Sequence, residues 1–175
     1  RPGPLHCRLL STFPVSSMNI DRPPPMRYLH LHWNHLPLRL EVRSHSLPSS
    51  PVVLGGQPWE SGSVLDASPA ALRMGVQRGQ PLGSAHALAP EATFLDAHPD
   101  RYREVLEAAL EALLAVTPAV EGPVEPTDPA FGRVLLGIEG LERLWGDEAA
   151  IVRRALTAVG ALLPGRQVVD YVSAL

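Results

Sequence analysis

Lysine is absent from this 175-residue chain, and all fifteen of its basic residues are arginine. A single cysteine, Cys7, excludes an intramolecular disulfide and any cysteine-rich zinc module. Aromatic residues make up only 5% of the sequence, so a core must be assembled mainly from leucine, valine and alanine. No apolar run reaches the roughly 20 residues that a membrane-spanning helix needs. Residues 5–15 are weakly apolar and Pro14 interrupts them, so no signal peptide is read there. The net charge of −3 removes any global positive field that would draw the chain to nucleic acid or a membrane surface. A local patch remains open, because Arg73 and Arg78 are close in sequence. A reducing, cytoplasmic setting is the expectation.

Proline and glycine, by contrast, are plentiful at 19 and 14 residues. Together with the arginine-only basic set, this points to genome base composition rather than to function. An apolar fraction of 45% with 19% charge suits a single globular domain, or one domain with a small appendage. Residues 1–26 lack sustained periodicity and run into Pro23, Pro24 and Pro25. They read as a disordered extension, with the true start at Met18 or Met26.

From Arg27 onward the chain alternates. Leu29, Leu31 and Trp33 recur at period two, which predicts a strand over 28–34. "LPLRLEV" (36–42) predicts a short helix with Pro37 in its first turn. "PVVLGG" (51–56) and "GSVLDAS" (62–68) predict a hairpin. Short helices follow at "PAALRMG", ending at Gly75, and "PLGSAHALAP", bounded by Pro81 and Pro90. "ATFLD" (92–96) predicts a brief strand.

The next segment holds the strongest helix pattern. Tyr102, Leu106, Ala109, Leu110, Leu113 and Leu114 form one stripe, with Glu104, Glu107 and Glu111 mostly off it and Pro118 as the stop. "AVEG" and "GRVLLGI" (132–138) predict strands, "GLERLWG" a helical turn, and 147–163 a second long amphipathic helix with acids in its first turn. Two long helices on one antiparallel or mixed sheet make an α+β sandwich.

His30, His32 and His35 fall in "YLHLHWNHLPLRLEV" (28–42). Residues two apart on a strand share a face, so His30 and His32 can point together toward a zinc-like ion. Two imidazoles are half of a tetrahedral shell, and no compact acid or histidine cluster elsewhere in the sequence completes it. The alternative is that they are partly exposed polar residues on a strand.

Several motifs, taken in order, resemble one family. Gly75-Val76-Gln77-Arg78-Gly79-Gln80-Pro81, Ala85-His86-Ala87-Leu88-Ala89-Pro90 and Asp100-Arg101-Tyr102-Arg103-Glu104-Val105 follow the "PVVLGG" strand and its hairpin. This order and spacing resemble the palm and fingers of the Y-family (UmuC/DinB-like) translesion DNA polymerases. "LLGIEGLERLWGDEAAI" (135–151) resembles the non-catalytic ImuB-type branch, and the likeness covers about residues 27–163. The resemblance implies a ferredoxin-like palm sheet backed by two long helices, with a small helical fingers insertion. It divides the chain into a palm start (27–50), fingers (51–91), palm remainder (92–165) and a tail (166–175).

Under that resemblance the histidine strand takes another meaning. His32 and Asn34 stand at the two aspartates of the family's first strand, the first of which holds both Mg²⁺ ions, and Pro37 at the aromatic that excludes ribonucleotides. Asp128 and Pro129 take the places of a second aspartate and a glutamate. Pro69 and Leu72 stand where tyrosine and arginine grip a triphosphate. Holding two hard Mg²⁺ ions requires anionic oxygens, whereas imidazole and amide are neutral and imidazole is too soft. Each charge lost beside a dication forfeits several kcal/mol at an effective dielectric of about 20, and about 1.4 kcal/mol is tenfold in rate.

The expectation is therefore a catalytically inactive homologue with no catalytic residue, metal or cofactor of its own. It would act as a scaffold or accessory factor in DNA repair, translesion synthesis and SOS mutagenesis. The resemblance implies a mutagenic replicative-type polymerase, a RecA-like accessory protein and the sliding clamp as partners. Weak DNA contact through Arg73 and Arg78 is the candidate binding role. Two alternatives stay open: an active translesion polymerase using Mg²⁺ at an atypical site, and a metal-binding module built on His30 and His32. Arg153 and Arg154 either solvate the last helix or mark a partner face, and Trp145 reads as core.

Overall fold

The alternation in the first strand decides which way the molecule faces. A computed structural model describes residues 27–43, 46–164 and 168–173, the last of these as backbone. In β1 (Arg27–His32) Leu29 and Leu31 are fully buried while Tyr28, His30 and His32 are half-exposed. β1 lies between β6 (Arg133–Gly137) and β7 (Val168–Ser173), and β5 (Val120–Glu121) pairs with the outer edge of β6. All neighbours are antiparallel. With α4 (Pro99–Leu113) between β1 and β5, and α6 (Glu148–Val159) between β6 and β7, this is the split β-α-β-β-α-β order expected for the palm.

Both long helices pack on one face of that sheet. Tyr102, Leu106, Ala109 and Leu113 of α4 and Ile151, Ala155 and Val159 of α6 share a core with Leu29, Leu31, Val134 and Leu136. Fully burying a side chain such as Leu106 is worth about 1.5–3 kcal/mol over leaving it exposed. Asp147 caps α6, its carboxylate accepting the Ala150 N–H at 2.8 Å. α4 ends at Leu113 rather than running to Pro118, and the buried Thr117 hydroxyl donates to the Gly137 carbonyl at 2.7 Å. The residue before a proline is pushed out of helical geometry, so the last turn loosens early.

The sequence pattern predicts one sheet; the chain forms two. β2 (Val52–Leu54) pairs antiparallel with β3 (Asp66–Ala67), the predicted hairpin, and parallel with β4 (Thr93–Leu95). A parallel pair needs a crossover, which α2 (Pro69–Arg73) and α3 (Leu82–Leu88) supply. They bury a second, smaller core around Val53, Val64, Ala71, Leu82 and Ala85. Because β4 belongs to this sheet, the small sheet runs to residue 95. Ser68 caps α2, and Gly75 takes φ +95° just past that helix, as a glycine stop requires.

Two more sequence expectations change or fall outside. Residues 166–175, read as a tail, contain β7, which gives the large sheet its fourth strand. The run Val168-Val169-Asp170-Tyr171-Val172 is rich in β-branched and aromatic residues, which suit a strand. The extension 1–26, with Met18, Met26 and Cys7, lies outside the described residues.

Candidate functional site

The helix-free face of the large sheet carries the residues singled out in the sequence. Pleating sets His30 and His32 on one side of β1, and their rings lie nearly parallel, 16° apart, with centroids at 5.9 Å. His32 stands opposite Arg133 on β6, and His30 opposite Leu135, which itself stands opposite Glu121 on β5. His30, Glu121, Ala130, Arg133 and Leu135 line an open groove of about 450 Å³.

His35 does not join the other two histidines. Its left-handed backbone (φ 55°) ends the β1–α1 turn, and α1 (Leu36–Val42) carries the buried Pro37 in its first turn. The His35 Nδ1 instead lies 2.9 Å from the Asp66 Oδ1 on β3. Asp66 is 1% exposed, and its carboxylate also accepts the backbone N–H groups of Ala67 at 2.9 Å and Leu38 at 3.4 Å. Burial lowers the Arg39 guanidinium while the Asp66 charge pulls it the other way. This clasp between the two sheets was missed in the sequence, where 31 residues separate the partners.

The acid at 128 is engaged in its own turn. The Asp128 Oδ1 accepts the Ala130 N–H at 2.7 Å, the backbone N–H of Asp128 donates to Glu125, and its carbonyl accepts from Phe131. Pro129 beside it is exposed. Asn34 is exposed and its carbonyl accepts from Arg39 Nε at 2.9 Å. His32, Asn34, Asp128 and Pro129 thus supply one carboxylate, already hydrogen-bonded, with the cation Arg133 in register beside His32. That donor set does not fit a pair of hard dications.

The two arginines of the expected patch behave differently. Arg73 is exposed in the last turn of α2. Arg78 is a brace: its Nε donates to the Leu65 carbonyl at 2.7 Å and its Nη2 to the Pro126 carbonyl at 3.1 Å. It thereby ties the small unit to the loop that holds Asp128, beside a cavity of about 320 Å³ lined also by Ser63, Leu65 and Thr127. Pro69 opens α2 and Leu72 is 37% exposed, so neither offers a polar grip for a phosphate.

A second clasp joins α1 to α4. Tyr102 OH donates to Glu41 Oε2 at 2.5 Å, and His98 Nδ1 lies 3.2 Å from the same oxygen. Burial alone would raise the Glu41 carboxyl, but hydrogen bonds from Tyr102 and His98 and the charges of His98 and Arg101 hold it below the usual range. Burial, then the bond to Glu41, pushes the Tyr102 hydroxyl well above its ordinary value. On the last helix Arg154 stacks 3.7 Å over Trp145, whose indole N–H donates to the Val116 carbonyl. Arg153 is exposed, and no described helix is long and apolar enough to cross a membrane.

The model of the impB/mucB/samB family matches residues 35–161. The DNA polymerase IV of Dehalococcoides mccartyi is 38% identical over 112 residues, covering 64% of this chain and 28% of that protein. That of Staphylococcus haemolyticus is 30% identical over 96 residues, covering 54% and 27%. Among solved structures, DinB from Sulfolobus solfataricus superposes with a TM-score of 0.63 at 16% identity, over 84% of this chain and 42% of that one. A post-insertion binary complex of Dbh DNA polymerase gives 0.60 at 17% identity, over 85% and 42%. The chain therefore spans well under half the length of these relatives, and the structural likeness speaks for the fold alone.

Proposed function

The chain belongs to the impB/mucB/samB family, and on that premise we propose that it is a catalytically inactive, ImuB-like member acting as a scaffold in translesion DNA synthesis. In this reading residues 27–50 and 92–165 are palm, 51–91 fingers, and His32, Asp128 and Pro129 occupy the family's metal positions. One observation carries it: the only carboxylate among them is closed onto the Ala130 N–H, and a guanidinium stands opposite His32. A site meant to gather two dications beside a polyanion would be repelled by that cation rather than balanced by acids.

The scaffold's partners would be a mutagenic replicative-type polymerase, a RecA-like accessory protein and the sliding clamp, in the cytoplasm. DNA contact would be weak. Arg73 is its first candidate, because much of the Arg78 guanidinium is engaged by backbone.

A competing reading is an active translesion polymerase with an atypical metal site, favoured by the likeness to the DNA polymerase IV of Dehalococcoides mccartyi and of Staphylococcus haemolyticus. Primer extension with Mg²⁺ or Mn²⁺ separates the two. No templated incorporation is expected; incorporation that Asp128→Ala abolishes overturns the scaffold reading.

A further inference from the structure

Arg153 and Arg154 of α6 stay outside the ion pairs that brace the fold. Among the described residues neither guanidinium has a hydrogen-bond or salt-bridge partner. With Ala150, Thr157 and Ala158 they recur at i, i+3, i+4, i+7 and i+8, which is one stripe of the helix. It runs beside the core stripe of Ile151, Ala155 and Val159. Ala115 and Val116, just past α4, form the facing wall of an open groove of about 540 Å³. That volume lies within the roughly 300–1,000 Å³ range of sites that take a compact apolar group with a few polar contacts. The lining alanines are short, so an incoming side chain meets apolar surface with room left above it. Leu114, the residue before Ala115, is 54% exposed and adds to that apolar surface.

The charge of the groove is one-sided. Among the described lining residues there are two arginines and no acid. Asp147 caps α6, Glu148 pairs with Arg27 at 3.0 Å, and Glu111, one turn before Ala115, makes no ion pair with either arginine. Arg154 is already oriented: its guanidinium lies 3.7 Å over Trp145, whose indole N–H donates to the Val116 carbonyl at 2.9 Å. A guanidinium held on an aromatic face loses less freedom when its planar edge takes a carboxylate bidentately. Arginine and tryptophan are also prominent among the residues that anchor protein interfaces. A carboxylate on a protein segment fits this surface better than a nucleic-acid backbone does. Glu104, Glu107 and Glu111 are exposed along the adjoining α4, so a continuous run of phosphates meets repulsion that one or two carboxylates avoid.

We propose that the groove between α6 and the end of α4 docks an acidic, apolar-anchored segment of a partner protein. Its carboxylate sits on Arg153 and Arg154, and a large apolar side chain lies between the alanines. The inference does not rest on the scaffold reading and holds equally for an active polymerase.

The test is selection of a random peptide display library on the full chain, counter-selected on the double variant Arg153→Gln/Arg154→Gln. Fluorescence anisotropy of one selected, labelled peptide follows. Selected sequences should place an aspartate or glutamate near a leucine, isoleucine, methionine or phenylalanine. Arg154→Gln should weaken that peptide about tenfold or more, the loss expected for a hydrogen bond to a charged group. Arg154→Lys, which keeps the charge but not the planar fork, should weaken it by less. Ala158→Leu, which fills the groove, should also weaken it, while Arg133→Gln, on the helix-free face, should bind as wild type. Both arginines are exposed, so urea midpoints of their variants should match wild type. Failure to enrich acidic sequences, equal binding to the double arginine variant, or tighter binding of an oligothymidylate strand than of the peptide through the same arginines each overturns the proposal. None of these outcomes touches the scaffold reading, which is judged by primer extension.

Discussion

The two sheets of this molecule are held together by different means. The four-stranded sheet buries Trp33, Tyr102 and many leucines against two long helices. The three-stranded sheet buries mostly valine and alanine under two short ones. Its other side reaches the large core through Val52, Leu54 and Leu65, and polar clasps add to that seam: Asp66 onto His35 and the Leu38 N–H, and Arg78 onto Pro126. Apolar periodicity is a property of many residues and tolerates substitution one at a time. A two-metal site depends on a few charges at a few positions. A chain can therefore keep the first while it lacks the second.

That contrast can be broken or sharpened by substitution, starting with the largest effect. Leu106→Ala removes a fully buried side chain from the large core and should cost about 2–5 kcal/mol, read as a lowered midpoint in urea for the whole domain. Asp66→Ala leaves two backbone N–H groups without their acceptor and should cost about 1–3 kcal/mol. Its signature should be local: amides of β2, β3 and β4 exchange faster while those of β1 and β6 keep their protection. Uniform loss of protection would mean that the two sheets are a single cooperative unit.

Smaller effects follow. Arg78→Met removes two charge-assisted bonds at a partly exposed site, and about 0.5–1.5 kcal/mol is expected, again felt first in the small sheet. Glu41→Gln tests the clasp within the large unit through pH. The folded Glu41 carboxyl lies below its ordinary value, so its stabilisation is present above that value and is lost as pH falls through the depressed one. Wild type should melt higher than the variant at neutral pH, and the difference should close below pH ~4, where an unfolded glutamate is protonated. A gap that persists in acid would mean that the contact acts by packing alone.

Most elements were legible because their causes are local. Leu29, Leu31 and Trp33 alternate; the α4 stripe recurs at helical spacing; Pro37, Ser68 and Gly75 sit at element ends where their backbone preferences are useful. The partner of β4 was not legible, since a three-residue strand carries no record of what it pairs with. β7 was not legible either, because the family likeness ends near residue 163 and a short β-branched run does not say which strand it will join. At the site, the loss of carboxylates could be read directly, but the engagement of Asp128 with Ala130, of Arg78 with two carbonyls, and the opposition of Arg133 to His32 could not.

By itself the sequence determined which residues are apolar at which period, where helices start and stop, and which side-chain chemistries are available along β1. Only the tertiary structure decided which strands lie side by side, and hence which charges face each other. Local periodicity acts over a few residues of chain. Electrostatics and hydrogen bonding act over a few ångströms of space, and folding brings His30 within one strand spacing of residue 170 and His35 onto Asp66.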